Sequence, residues 1–192
     1  MSSLPPQASL DIIRDMIQTA RGALKDNGQY LLLWGWLVLI ASLAHFVLLV
    51  PLEIRNGLES LPWLGLPLIG LPMTYRIRQK HQQSAQVQTH LGRVIAQNWT
   101  GIGVCFLLIL GVALAGLIDF QVAYPLFIML YGLGTFLSGQ IVRFRPLMWG
   151  GIGSWLICIG AFFVPFAYQL LLIALSIVIS YLIPGYMLKA RT

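Results

Sequence analysis

Charge is what this sequence has least of. Asp, Glu, Lys and Arg together make up 9% of its 192 residues, against roughly 25% in soluble domains. Most of the surface therefore cannot face water. Cysteine is scarce as well. Cys105 and Cys158 both fall inside apolar runs, which excludes a disulfide framework and leaves them as small buried hydrophobes. The apolar runs hold no Asp or Glu, so proton or sodium coupling through a membrane carboxylate is hard to build. No His-Glu-x-x-His, Gly-x-Ser-x-Gly, P-loop or Cys-x-x-Cys pattern occurs. Glu53, Glu59 and Asp119 have no evident histidine partner, so paired acid–base chemistry has little support. No catalytic residue, metal site or cofactor is expected.

What the chain has is apolar length. Hydrophobic residues make up 58% of it, and a helix needs roughly 20 of them to cross about 30 Å of hydrocarbon. Six segments answer to this, at 30–50, 61–77, 94–118, 122–142, 147–164 and 169–188. The second is the shortest and carries Pro62, Pro67 and Pro72. It reads as a kinked span, because a re-entrant loop would leave the basic stretch from Arg76 to Arg93 on the wrong side. The expected fold is an all-α polytopic membrane bundle of six transmembrane helices over residues 29–192.

Residues 1–28 precede the bundle. Ser9 is placed to cap a helix running to Asp26, with Asn27-Gly28 as its stop signal. Leu10, Ile13, Ile17, Ala20 and Leu24 recur at helical spacing, and Asp11, Arg14, Asp15, Gln18, Arg21 and Lys25 take the other face. This is an amphipathic helix. Its charges balance, which favours docking on protein over adsorption to anionic lipid. Ser42-Leu43-Ala44 would pass as a signal-peptidase site, but the charged preamble is long and the apolar run continues to Val50, so no cleavage is expected.

A net charge of +6 invites a nucleic-acid reading. The basic residues sit instead at the ends of apolar runs, where the positive-inside rule places them. With the N-terminus inside, only Arg55 of the twelve basic residues falls outside. Both termini are therefore expected in the cytoplasm. The spans also pair into three similar hairpins. Trp99-Thr-Gly-Ile-Gly103 and Trp149-Gly-Gly-Ile-Gly153 open segments three and five, and Trp34-Gly-Trp36 lies early in segment one. Segments two, four and six end on Arg76-Ile-Arg78, Arg143-Phe-Arg145 and Lys189-Ala-Arg191. Two readings stand: a hairpin repeated three times, or convergence of residues that any membrane protein favours.

Few polar side chains enter the spans. His45 would be a haem or metal ligand, a proton site, a lining residue, or a neutral ring donating one hydrogen bond to a neighbouring helix. No second histidine lies in another span, which favours the last. Gln97, Asn98 and Gln140 near the inner interface would either line a vestibule or join helices, each bond worth ~0.6–2 kcal/mol. Joining helices is the simpler role. Gly111-x-x-x-Ala115, Gly134-x-x-x-Ser138 and Ser176-x-x-x-Ser180 predict close helix packing. His81 and His90 are nine residues apart, a spacing that suits no helical metal pair. Arg76, Arg78, Lys80, Arg93, Arg143 and Arg145 are candidates for contact with anionic headgroups.

The run Asp26-Asn-Gly-Gln-Tyr-Leu-Leu-Leu-Trp-Gly-Trp-Leu-Val38 resembles the opening of a group of small bacterial polytopic inner-membrane proteins, and the hairpin layout loosely resembles six-helix membrane proteins of the HdeD type. The resemblance implies a bacterial inner membrane and brings no site residues. The expected function is a non-enzymatic scaffold or regulatory subunit that presents the amphipathic helix and basic loops to a protein partner or a second copy. A small-solute channel or uniporter between the hairpins is the alternative. An intramembrane haem or lipid enzyme built on His45 comes third. Nucleic acid is not an expected partner.

Overall fold

The computed structural model describes residues 6–54, 57–84 and 90–190, with side chains at 28–54, 57–79 and 92–190. Every regular element among them is helical. Helix α1 spans Pro6–Leu49. A 3₁₀ segment, Leu58–Leu64, leads into α2, Gly65–Ser84. Then come α3 (His90–Leu114), α4 (Phe120–Ile141) and α5 (Arg145–Ala161). The last helix, α6, runs Phe166–Ala190 and widens to a π turn over Val178–Leu182. Pro184, just beyond, cannot return an N–H to the carbonyl of Ser180, and such a local loss of register is relieved by a wider turn.

Four stretches are long and apolar enough to cross a membrane: Gly28–Leu49, Gly92–Leu114, Phe120–Ile141 and Phe166–Ala190. The expected spans at 61–77 and 147–164 do not meet that measure. Segment two splits at Gly65 into the 3₁₀ segment and α2, and α2 soon runs into Arg76 and Arg78. Helix α5 is uncharged beyond Arg145 but has only 17 residues, about 25 Å at 1.5 Å each.

The expected stop at Asn27-Gly28 is not made, and α1 is unbroken for 44 residues. Gly28 serves a different purpose. A Cβ there would lie 3.3 Å from Leu188 Cβ and 3.4 Å from the Gly185 carbonyl, so its missing side chain lets α1 and α6 approach. A true left-handed stop occurs at Gly116, φ 73°, beyond α3. Arg143, φ 51°, turns the chain between α4 and α5, where Phe144 N–H closes on the Gly139 carbonyl at 2.9 Å.

Consecutive helices run antiparallel wherever their contacts are recorded. Trp34 meets Thr74 while His45 meets Trp63; Asn98 meets Ser138 while Phe106 meets Phe127. Between α5 and α6, Ser154 meets Ser176 and Ala161 meets Gln169. The core lies among α4, α5 and α6, centred on Ile128, Leu147, Leu170, Ile173 and Ile177. Helix α1 packs along α6, with Leu31 and Val38 buried. Helices α2 and α3 flank this core and leave Leu68, Leu71, Leu107, Leu108 and Leu114 exposed.

Candidate functional site

The bundle has two chemically distinct ends. One carries exposed Arg76, Arg78, Arg93, Arg143, Arg145 and Lys189. The side chains of Lys80, His81 and His90 lie outside the described residues, as do those of the expected amphipathic helix at 9–26 and all of Arg55. Arg143 and Arg145 flank the α4–α5 turn, and Arg76 and Arg78 follow the apolar part of α2.

Above this end the hairpins are joined by polar side chains. Asn98 Nδ2 donates to the Gly134 carbonyl at 3.2 Å and approaches Ser138 Oγ at 3.4 Å. The Trp99 ring covers Gly134, where a Cβ would meet it at 2.8 Å. Helices α1 and α2 repeat the device: Trp34 covers Gly70, and its Nε1 donates to Thr74 Oγ1 at 3.2 Å. Gln97 and Gln140 are exposed and do not join Asn98. The three amides thus form no vestibule; Asn98 alone ties two helices. We expect Asn98→Ala to cost ~1 kcal/mol, within the range for interhelical bonds, while Gln97→Ala and Gln140→Ala change stability by less than ~0.5 kcal/mol. Reversible unfolding in mixed micelles reads all three.

The opposite end holds His45. Its ring is 3% exposed and lies in the last two turns of α1. Trp63 Nε1 donates to His45 Nδ1 at 2.8 Å, and the Tyr124 hydroxyl stands 3.5 Å from the same nitrogen. An indole N–H can only donate, so Nδ1 is the acceptor and the ring proton sits on Nε2. Phe166 meets the ring edge-on at 6.0 Å and stacks on Tyr124 at 5.0 Å. Where a bond donated to a neighbouring helix was expected, Nδ1 accepts one from the 3₁₀ segment. No metal-binding group of three or more His, Cys, Asp or Glu occurs among the described residues.

Two further amides complete this end, and the sequence reading did not single them out. Gln169 is fully buried, and its Nε2 donates to the carbonyls of Gln121 at 2.8 Å and Ala161 at 2.9 Å. Gln121 Nε2 donates to the Val164 carbonyl at 2.7 Å. The available signal was Pro125: lacking an N–H, it leaves the carbonyl four residues earlier, that of Gln121, in need of a donor. Deeper in the bundle Ser176 donates to Ser154 at 2.8 Å, Ser180 to the Ser176 carbonyl at 2.7 Å, and Cys158 to the Pro125 carbonyl at 3.2 Å. Gln169 Nε2, Gln121, Ser176 and Cys158 join separate elements, Ser180 bonds within α6, and Gln169 Oε1 is buried with no hydrogen-bond partner among the described residues.

Comparison of the chain with protein-family models, curated proteins and solved structures finds no match.

Proposed function

We propose that this chain is a non-enzymatic integral membrane scaffold or regulatory subunit that holds an amphipathic helix rigidly against a partner at its basic end. One observation carries the reading: α1 passes without interruption from residue 6 to the bundle. The half outside Gly28–Leu49 extends about 33 Å as helix. A hinge at Asn27-Gly28 would have let that half lie anywhere. A continuous rod fixes its direction to that of the span, which α6 in turn holds through Gly28, Leu32 and Gly185.

Six crossings follow in this reading, since six antiparallel helices alternate between the two ends. The positive-inside rule then puts the basic end and both termini in the cytoplasm of a bacterial inner membrane. Repetition of a hairpin is supported by Trp34 over Gly70 and Trp99 over Gly134. The third hairpin departs from it, with Trp149 68% exposed and Gly150 against the backbone of Ile179 and Ser180. Membership of the HdeD-type group belongs with this proposal.

The test is capture from native membranes by full-length chain and by a chain lacking residues 1–26, with bound proteins quantified by mass spectrometry. The truncated chain should remain folded and lose the specific partner. Equal capture by both would end the scaffold reading.

A further inference from the structure

The 3₁₀ segment at the His45 end is attached in an unusual way. None of its seven residues is fully buried, and it is bounded by Gly57 (φ 90°) and Gly65, neither of which has a neighbour where a Cβ would stand. Trp63 is its anchor, through the 2.8 Å bond to His45 Nδ1. Four residues earlier, on the same segment, Glu59 has an occluded carboxylate oxygen, Oε2, with no hydrogen-bond partner among the described residues. Leaving such a charged acceptor unpaired is costly. A second arrangement in which it is paired would offset that cost.

We propose that His45 is a proton-binding site controlling the seat of this segment: the neutral ring holds Trp63, and the protonated ring exchanges Trp63 for Glu59. The chemistry is forced by donor inventory. A proton arriving on Nδ1 places an N–H opposite the Trp63 N–H at 2.8 Å, and neither can accept. The indole must leave. The new N–H needs an acceptor: the Tyr124 oxygen lies 3.5 Å away, and the segment that carries Trp63 also carries the unpaired Glu59 Oε2. Only the second carries charge. Trp63 and Glu59 share one short element between two glycines, so moving the segment withdraws one and advances the other.

The surroundings offer no competing partner of known position. From α4 the ring meets Tyr124, and from α6 it meets Phe166. Of the described charged residues at this end, Glu53 precedes the segment, Asp119 precedes α4, and Glu59 lies on the segment that Trp63 anchors. The exchange of Trp63 for Glu59 does not depend on a scaffold role. It would hold equally for a transporter.

The test is the indole N–H spectrum of the ¹⁵N-tryptophan-labelled full-length chain in micelles, with the Trp63 peak assigned by Trp63→Phe. Acidification runs across the range where histidines titrate, roughly pH 8 to pH 5. The Trp63 peak should leave its hydrogen-bonded position in a single transition, while the other five of the six indoles stay in place. In His45→Asn, which keeps an acceptor but cannot take the proton, the peak should stay fixed. In Glu59→Gln the transition should need more acid, because the imidazolium loses its counter-charge. A wild-type Trp63 peak that does not move overturns the proposal, as does movement unaltered in His45→Asn or a transition unmoved in Glu59→Gln. If His45→Asn does not fold, the wild-type and Glu59→Gln titrations decide.

Discussion

Replacing Gly151 with alanine is expected to separate α4 from α5 and cost ~1–3 kcal/mol, the usual range for overpacking a tight core. A Cβ at Gly151 would lie 2.7 Å from the Gly132 carbonyl oxygen and 2.9 Å from Phe136 N. Both are backbone atoms of a helix, so no flexible side chain can yield. The contact is reciprocal, since a Cβ at Gly132 would lie 2.9 Å from the Gly151 carbonyl and 2.7 Å from the Trp155 ring. Gly111 supplies the internal control. Nothing lies within 4 Å of its Cβ position, and Gly111→Ala should stabilise α3 by ~0.5–1 kcal/mol through lowered backbone entropy. Unfolding of the two variants in the same bilayer or micelle, by steric trapping or graded denaturing detergent, gives opposite signs. Equal effects would mean that α4 and α5 are not packed backbone to backbone.

That contrast also marks where the sequence was legible. A membrane helix must be long and apolar, so the runs themselves revealed the stretches Gly28–Leu49, Gly92–Leu114, Phe120–Ile141 and Phe166–Ala190 to within a few residues of their ends, though not the continuation of α1 back to Pro6. Helix contacts depend on which small residues face each other across two helices, and a motif within one helix does not say. Gly111-x-x-x-Ala115 has the pattern and faces open space, whereas Gly132 and Gly151 form the closest approach without belonging to any such pattern. Asn27-Gly28 failed for a related reason. Glycine marks a helix stop when the backbone turns left-handed, and a close approach when it does not; only the position of Leu188 decides between them. For His45 the partner sought in sequence was another histidine, but the structure supplies an indole from eighteen residues along the chain.

Gln169→Leu should be the most damaging of the polar substitutions, at about 1–3 kcal/mol, because it leaves the buried Gln121 carbonyl without its donor, while the Ala161 carbonyl keeps the Val164 N–H at 3.5 Å. Gln169 opens the sixth apolar segment, and a polar side chain at a span end usually meets water or headgroups. It is fully buried instead, three residues beyond Phe166, the first residue of α6. Its partner at Gln121 exists because of Pro125. A residue with a backbone N–H at 125 would return that bond to Gln121 within α4, and Gln169 Nε2 would have one acceptor fewer. The dependence can be isolated by a double-mutant cycle. Pro125→Ala restores the helical donor, so Gln169→Leu in that background should cost at least ~1 kcal/mol less than in the wild type, a coupling in the range seen for directly interacting residues. The Ala161 carbonyl at the end of α5 loses its Gln169 bond in both backgrounds and cancels from the cycle. Additive effects would show that the Gln121 carbonyl is satisfied by some other donor. A positive coupling would establish that a proline in one helix is stabilised by an amide in another, which fixes α6 against α4 in one register.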